Sequence, residues 1–292
     1  MANNVDALKA EAWSNVLQEV LYESFVGRLI ANTKFEGLFT GNDTVHFPRL
    51  TPIVSQDLAT SYTSVTIQDL VTTDETMVLD TRKHFAFEIS NEDMIEMKID
   101  PQNQAIRDGA QAFAKDYDTA IMSQYANAGY IVDDGNMEVA TNGGAGNEVI
   151  LTKDNIYDLV TAVAETMDAN NIPDADRFLV VSPKEKRLFA KAPELLRSTD
   201  MGDNTVTGGV MGEINGITII RANNVQEALG VRHLVAGAGK PVSFAANIRP
   251  NVEITPSQYR DKFVSLIKAQ TKFGVKTFFE GANRMIDVQV QA

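Results

Sequence analysis

The chain has 292 residues, 44% hydrophobic and 22% charged, enough apolar material for the core of one large domain or two modest ones. Its 26 basic residues stand against 39 acidic ones, a formal charge of −13, which argues against a protein that grips nucleic-acid phosphates through clustered cations. It contains no cysteine, so disulfides, thiolate catalysis and cysteine-based zinc sites are excluded.

The N-terminus, Met1 to Asp6, has neither the basic region nor the apolar run of a signal peptide, and no apolar stretch approaches the roughly 20 residues that span a bilayer. A soluble cytosolic product is expected, with no membrane partner. Leu8, Trp13, Val16, Leu17, Val20, Leu21 and Phe25 fall close to one face and predict a helix from Asp6 to Ile30. Its stripe must dock either on its own core or on a neighbour.

Gly37, Gly41 and the Gly-Asn-Asp run at 41–43 mark turns, and Thr44 to Phe47 alternates as a strand that Pro48 should stop. Thr51 to Asp80 is rich in Thr, Ser and Val but holds few large apolar residues, which predicts a thin two-stranded ribbon turning near Thr72-Thr-Asp-Glu75. An isolated hairpin is marginal in water, so such a ribbon needs a surface to rest on. Asp69, Asp74 and Glu75 are its candidate contacts with basic residues of a neighbour. Phe85, Phe87 and Ile89 alternate as a strand, and the acidic link after it carries Glu92, Asp93 and Glu96.

The stretch from Asp100 to Gly129 organises the rest. Asp100 is an N-cap, Pro101 suits the first helical position, and Gly129 suits a left-handed helix end. Ile106, Ala110, Phe113, Tyr117, Ile121 and Tyr125 form one apolar stripe, with Asp118 read as lying off it. The helix would be roughly 40 Å long, a spine for a domain. Beyond it, strands alternate with helices from 130 to 247, as in a compact α/β domain. Thr152 is expected to cap a helix with Ile156, Leu159, Val160, Val163 and Met167; Arg177 to Val181 reads as a buried strand. Ser182-Pro-Lys-Glu185 is a capping box, and 195–207 reads as an exposed loop. Val252, Ile254, Phe263–Ile267, Phe273–Phe279 and Met285–Val290 are β-like and would form the sheet that the spine covers, making the spine domain discontinuous.

Catalytic motifs are scarce. Ala236 to Pro241 fails the phosphate-loop pattern, with Leu234 and Pro241 where Gly and Ser or Thr belong. His46, His84 and His233 are isolated from one another, no G-x-S-x-G elbow occurs, and Asp133 to Glu138 fails calcium-loop spacing and reads as an exposed acidic turn. No catalytic residue, cofactor or metal is expected.

The order of the pieces resembles the major capsid protein of tailed bacteriophages, a fold shared with herpesvirus capsid floors and encapsulins. The likeness rests on Ala31-Asn-Thr-Lys-Phe-Glu-Gly37 with Gly41-Asn-Asp-Thr-Val-His-Phe-Pro-Arg49, on Leu79-Asp-Thr-Arg-Lys-His-Phe-Ala-Phe-Glu-Ile89, and on Arg107-Asp-Gly-Ala-Gln-Ala-Phe-Ala-Lys-Asp-Tyr-Asp118. Arg177-Phe-Leu-Val-Val-Ser-Pro183 and Gly209-Val-Met-Gly-Glu-Ile-Asn-Gly-Ile217 complete it. The resemblance implies an α+β fold: an N-terminal arm (1–45), an extended β-ribbon loop (46–90), a peripheral domain with the spine helix (91–128 and 248–292) and an axial α/β domain (129–247). It implies a non-enzymatic subunit that forms hexamers and pentamers of an icosahedral shell around double-stranded DNA, located in the virion and assembled in the host bacterial cytoplasm. A portal, a separate scaffolding protein and a decoration protein are the implied partners. Acidity would suit an inner wall that does not trap packaged DNA. An encapsulin-like compartment is the alternative, and an uncharacterised α/β enzyme a third reading.

Three expectations follow from the resemblance. Trp13, Leu17 and Leu21 make intersubunit contacts, so that deleting 2–30 blocks assembly of a still-folded subunit. The predicted first helix begins within about ten residues of Met1, leaving no room for a fused scaffolding segment unless the chain is already a processed form, hence the expectation of a separate scaffold. Some relatives join a loop lysine to a neighbour's asparagine, but there is no lysine between Lys34 and Lys83, so the ribbon has no amine to offer and the shell is expected to be non-covalent.

Overall fold

In a computed structural model, residues 26–39, 42–57, 67–90, 101–141, 147–192, 210–256 and 264–292 are described. The chain forms α1 (Gly27–Ile30), β1 (Ala31–Asn32), β2 (Thr44–Leu50), β3 (Thr72–Val78), β4 (Thr81–Ser90), α2 (Pro101–Met122) and β5 (Tyr130–Val132). There follow α3 (Ile156–Ala169), β6 (Arg177–Val181), α4 (Pro183–Phe189), β7 (Val210–Ile214), β8 (Ile217–Arg221), β9 (Gln226–Ala228) and β10 (Val231–Ala238). Last come β11 (Val242–Pro256), β12 (Val264–Thr277), α5 (Phe279–Ala282) and β13 (Met285–Gln291). Among the described residues the strands pair into three sheets: β1-β11-β12-β4, β5-β13-β10-β6-β8-β7 with β9 on β10, and the ribbon β2-β3.

Period-two alternation sets the first sheet. On β12, Ile267, Ala269, Thr271 and Phe273 are buried while Lys268 and Gln270 are exposed. The spine helix α2 lies on the buried face. Its Tyr117 ring meets Phe273 at 4.7 Å and Phe244 at 5.2 Å edge-on, and Phe113 meets Phe85 at 5.2 Å. Gly109 lies under the Phe85 ring, where a Cβ would overlap it. Of the expected stripe, Phe113, Tyr117 and Ile121 face the core, while Gly109 rather than Ala110 turns toward the sheet and Ala110 is exposed.

The second sheet is buried on both faces, which explains why every residue of β6 is buried. Leu179 and Val181 face α3 and α4 in a core with Ile156, Leu159, Val160, Val163 and Met167. Phe178 and Val180 face the end of the spine helix in a second core with Ile121, Met122, Val26 and Ile30. The Ser182 capping box forms as expected: Lys184 N–H donates to Ser182 Oγ at 3.2 Å, and Ser182 N–H to Glu185 Oε2 at 3.0 Å.

Several local expectations are corrected. Thr72 to Glu75 is strand, not turn, because β3 pairs Thr72 with Leu50 and Val78 with Thr44, placing the reversal farther out. Pro48 sits inside β2 opposite Asp74; a two-stranded ribbon has a free edge where a missing N–H costs nothing. The spine's α-helical part ends at Met122 and continues as a 3-10 turn to Asn127. Gly129 is not left-handed; it is small because a Cβ there would stand 2.6 Å from Ala282 O. Asn155, not Thr152, stands at the N-terminus of α3, and its Oδ1 accepts from Thr152 N–H at 2.7 Å. Asp134 is buried and accepts from Thr141 N–H at 2.6 Å, so the acidic turn is structural rather than solvated. β11 and β12 do lie under the spine, but β13 pairs with β10 and β5 in the other sheet, since the turn through α5 carries the chain across. The Asp100 cap, the 91–100 link and the 195–207 loop lie outside the described residues.

Candidate intersubunit surfaces

The ribbon has a clamped root and, in its outer described part, exposed apolar side chains. At the root, Phe39, Met77, Leu79 and Ala245 are buried together, ringed by Phe35, Phe47 and Phe278 at centroid spacings of 4.7 to 5.9 Å. Asp43 pairs with the buried Lys272 of β12, and that hydrogen bond holds the Asp43 carboxyl below the ordinary carboxylate range. Arg49 lies 3.9 Å over the Phe279 ring and 3.4 Å from Glu75 Oε1, while Glu75 Oε2 accepts from Phe279 N–H at 3.1 Å. Farther out, Thr51 N–H donates to Val71 O at 2.9 Å, and Gln68 bonds both backbone groups of Val54. There Leu50, Ile53, Val54, Ile67, Leu70 and Val71 are between 53% and 89% exposed. Six large apolar side chains on this one ribbon are thus left in solvent.

Of the residues singled out from sequence, Asp74 and Glu75 come together on β3, each with a partner in its own subunit: His46 Nδ1 at 2.5 Å from Asp74, Arg49 and Phe279 N–H for Glu75. Asp69 stands apart, exposed on the outer described part of the ribbon. Trp13, Leu17 and Leu21 lie outside the described residues. The C-terminal end of the predicted first helix is part of the subunit core, with Val26 7% and Ile30 1% exposed. A truncation running to residue 30 would therefore remove core residues.

Sequence reasoning missed Asp118. It is 2% exposed on the spine and accepts from Val26 N–H at 3.1 Å, from Gly27 N–H at 2.5 Å and from Asn224 Nδ2 at 2.9 Å. One carboxylate thus ties the chain that follows the N-terminal segment, the spine and the loop after β8. The signal was present: Asp118 precedes the consecutive apolar pair Ile121-Met122 by three and four residues, the same helix face.

Two of the three histidines have carboxylate partners, His46 with Asp74 and His233 with Asp287, while His84 is exposed. His233 Nδ1 lies 2.9 Å from Asp287 Oδ2, and its ring stacks on Tyr125 at 4.0 Å, joining the end of the spine to β10 and β13. Burial pushes the Asp287 carboxyl above its ordinary value, against the lowering effect of the His233 hydrogen bond. Lys83 lies 3.6 Å from Asp116 of the spine. Among the described residues no group of three His, Asp or Glu side chains is placed to hold a metal ion.

A family model described as phage capsid protein matches residues 72–277. No curated protein matches the sequence. Among solved structures, one described as Mycobacterium phage Che8 is similar with a TM-score of 0.79 and 20% identity, over 98% of each chain. The capsid of cyanophage P-SCSP1u is similar at 0.73 and 13% identity, over 99% of this chain and 95% of that one. The capsid asymmetric unit of cyanophage Pam1 is similar at 0.73 and 12% identity, over 100% and 99%.

Proposed function

The chain belongs to the phage capsid protein family, a structural subunit of a multi-copy shell, and from that premise we propose that it assembles as hexamers and pentamers of an icosahedral shell enclosing double-stranded DNA. The reading assigns it to the virion, with assembly in the host bacterial cytoplasm and no catalytic role. The observation that carries it is the set of exposed apolar side chains on the outer described part of the ribbon, above a clamped root. Burying three of those side chains on a neighbour contributes roughly 5–9 kcal/mol. Association costs on the order of 4–15 kcal/mol. One such contact is marginal by itself, which suits a lattice in which several contacts per subunit act together.

In this reading residues 1–45 are an arm and 46–90 the extended loop. Residues 91–128 and 248–292 are the peripheral domain and 129–247 the axial domain, with β13 acting alongside the axial sheet it pairs with. Trp13, Leu17 and Leu21 serve the arm's contacts, and Asp69 is the loop carboxylate best placed to meet a neighbour's cation. Asp74 and Glu75 reach a neighbour only alongside their own partners. A separate scaffolding protein sets shell size, and a portal completes the particle.

Negative-stain electron microscopy of the expressed chain, with and without an Ile53→Ser/Val54→Ser double change, tests the reading. The unmodified chain should form closed shells or tubes, of uniform size only with a scaffold. The ribbon variant and a truncation of residues 2–25 should stay folded as subunits. Shells formed equally well by the ribbon variant would sink the proposal, and particles holding protein cargo and no nucleic acid would favour the encapsulin-like compartment.

A further inference from the structure

The hairpin joining β9 to β10 turns through Leu229 and Gly230, at φ +55° and +83°. Two successive left-handed positions are the pattern of a tight type I′ hairpin turn, which favours Asn, Asp or Gly because a Cβ crowds the backbone there. Among the described residues the other non-glycine residues at positive φ are Asn171, Asp176 and Asn215, the types that tolerate it. Leu229 is the exception, and its side chain is fully exposed, at 105%. It therefore incurs an unfavourable backbone conformation and an apolar surface in water, with no compensating contact among the described residues.

The hairpin is not loosely held. Ala228 pairs with Val231, Glu227 with Arg232 and Gln226 with His233. Gly230 O accepts from Ala292 N–H at 3.0 Å, and Arg232 bonds the buried Glu185 at 2.7 Å. The positive φ and the full exposure of the same leucine, in a turn held by these bonds, set it apart from an ordinary surface leucine.

We infer that Leu229 is an intersubunit anchor, seated in an apolar recess on a second copy of this chain. The inference rests on the shell reading, which surrounds each subunit with copies of itself. It is independent of the ribbon, because the hairpin belongs to the seven-stranded sheet, whereas the ribbon is a sheet of its own whose root packs on the four-stranded one.

Leu229→Asn separates the subunit's interest from the shell's. Asn is at ease at a left-handed position, so the isolated variant subunit should melt at the same temperature as the unmodified one or higher. Assembly should weaken about tenfold, read as a rise in the critical concentration for particles, because a buried leucine contact is lost. In a second measurement Leu229 is replaced by its diazirine analogue and assembled particles are irradiated; a crosslink to another copy of this chain is expected. An unchanged critical concentration, a crosslink to a different protein, or no crosslink overturns the inference while leaving the shell reading intact. If the unmodified chain forms no particles under any condition, the shell reading fails and this inference falls with it.

Discussion

Asp118→Ala is the most informative single change in the subunit. The carboxylate is 2% exposed and satisfies two backbone N–H groups, of Val26 and Gly27, and the side-chain amide of Asn224, which is 9% exposed. Alanine leaves all three donors buried without partners, at about 1–3 kcal/mol each. Relief of the carboxylate's own desolvation offsets part of this, so a net loss of about 3–5 kcal/mol is expected. That is a large share of the roughly 5–15 kcal/mol that holds a domain folded. On unassembled subunits the urea midpoint should fall by roughly 1–2 M. Asp118→Asn keeps an oxygen for the two N–H groups and should lose only about 1 kcal/mol. The expected order is Asp, then Asn, then Ala. A loss below about 1 kcal/mol for alanine, or equal losses for Asn and Ala, would refute the idea that this carboxylate joins the three segments.

Gly129→Ala should lower the melting temperature, by about 1–3 kcal/mol of stability, because its Cβ would stand 2.6 Å from Ala282 O, a backbone atom that cannot swing aside; an unchanged melt would show that α5 can give way. For Asp287 the folded pKa is raised by burial, so the folded state holds the proton more tightly than the unfolded one. Its contribution is full below about pH 3.9 and is lost as pH rises through the raised value. The unmodified chain should therefore lose stability relative to Asp287→Asn over that window, and parallel urea midpoints across it would contradict the assignment. Mature particles boiled in detergent should run as one band near 32.0 kDa, since the loop has no lysine between Lys34 and Lys83 and Lys83 is paired with Asp116; a boil-resistant ladder would show that another lysine forms an isopeptide bond.

Local pattern by itself determined the spine helix, the buried strand at 177–181, the capping box at Ser182 and the alternation of Phe85, Phe87 and Ile89. These are periodicities of 3.6 and 2 and side-chain-to-backbone bonds closing within a few residues, so their causes lie within the segment. The Thr- and Val-rich composition of 51–80 pointed to a two-stranded ribbon, and β3 does pair with a second strand, β2. Tertiary structure decided which sheet each strand joins. Met285–Gln291 reads the same as β12 along the chain, yet pairs with β10 because α5 turns it there. Gly129 looked like a helix end and proved to be a point of backbone contact with Ala282. Asp118 looked like a solvated helix residue until the Val26 and Gly27 amides, more than 90 positions away in sequence, came to rest against it. A carboxylate's role is set by what the fold brings within 3 Å of it, and no period along the chain carries that distance.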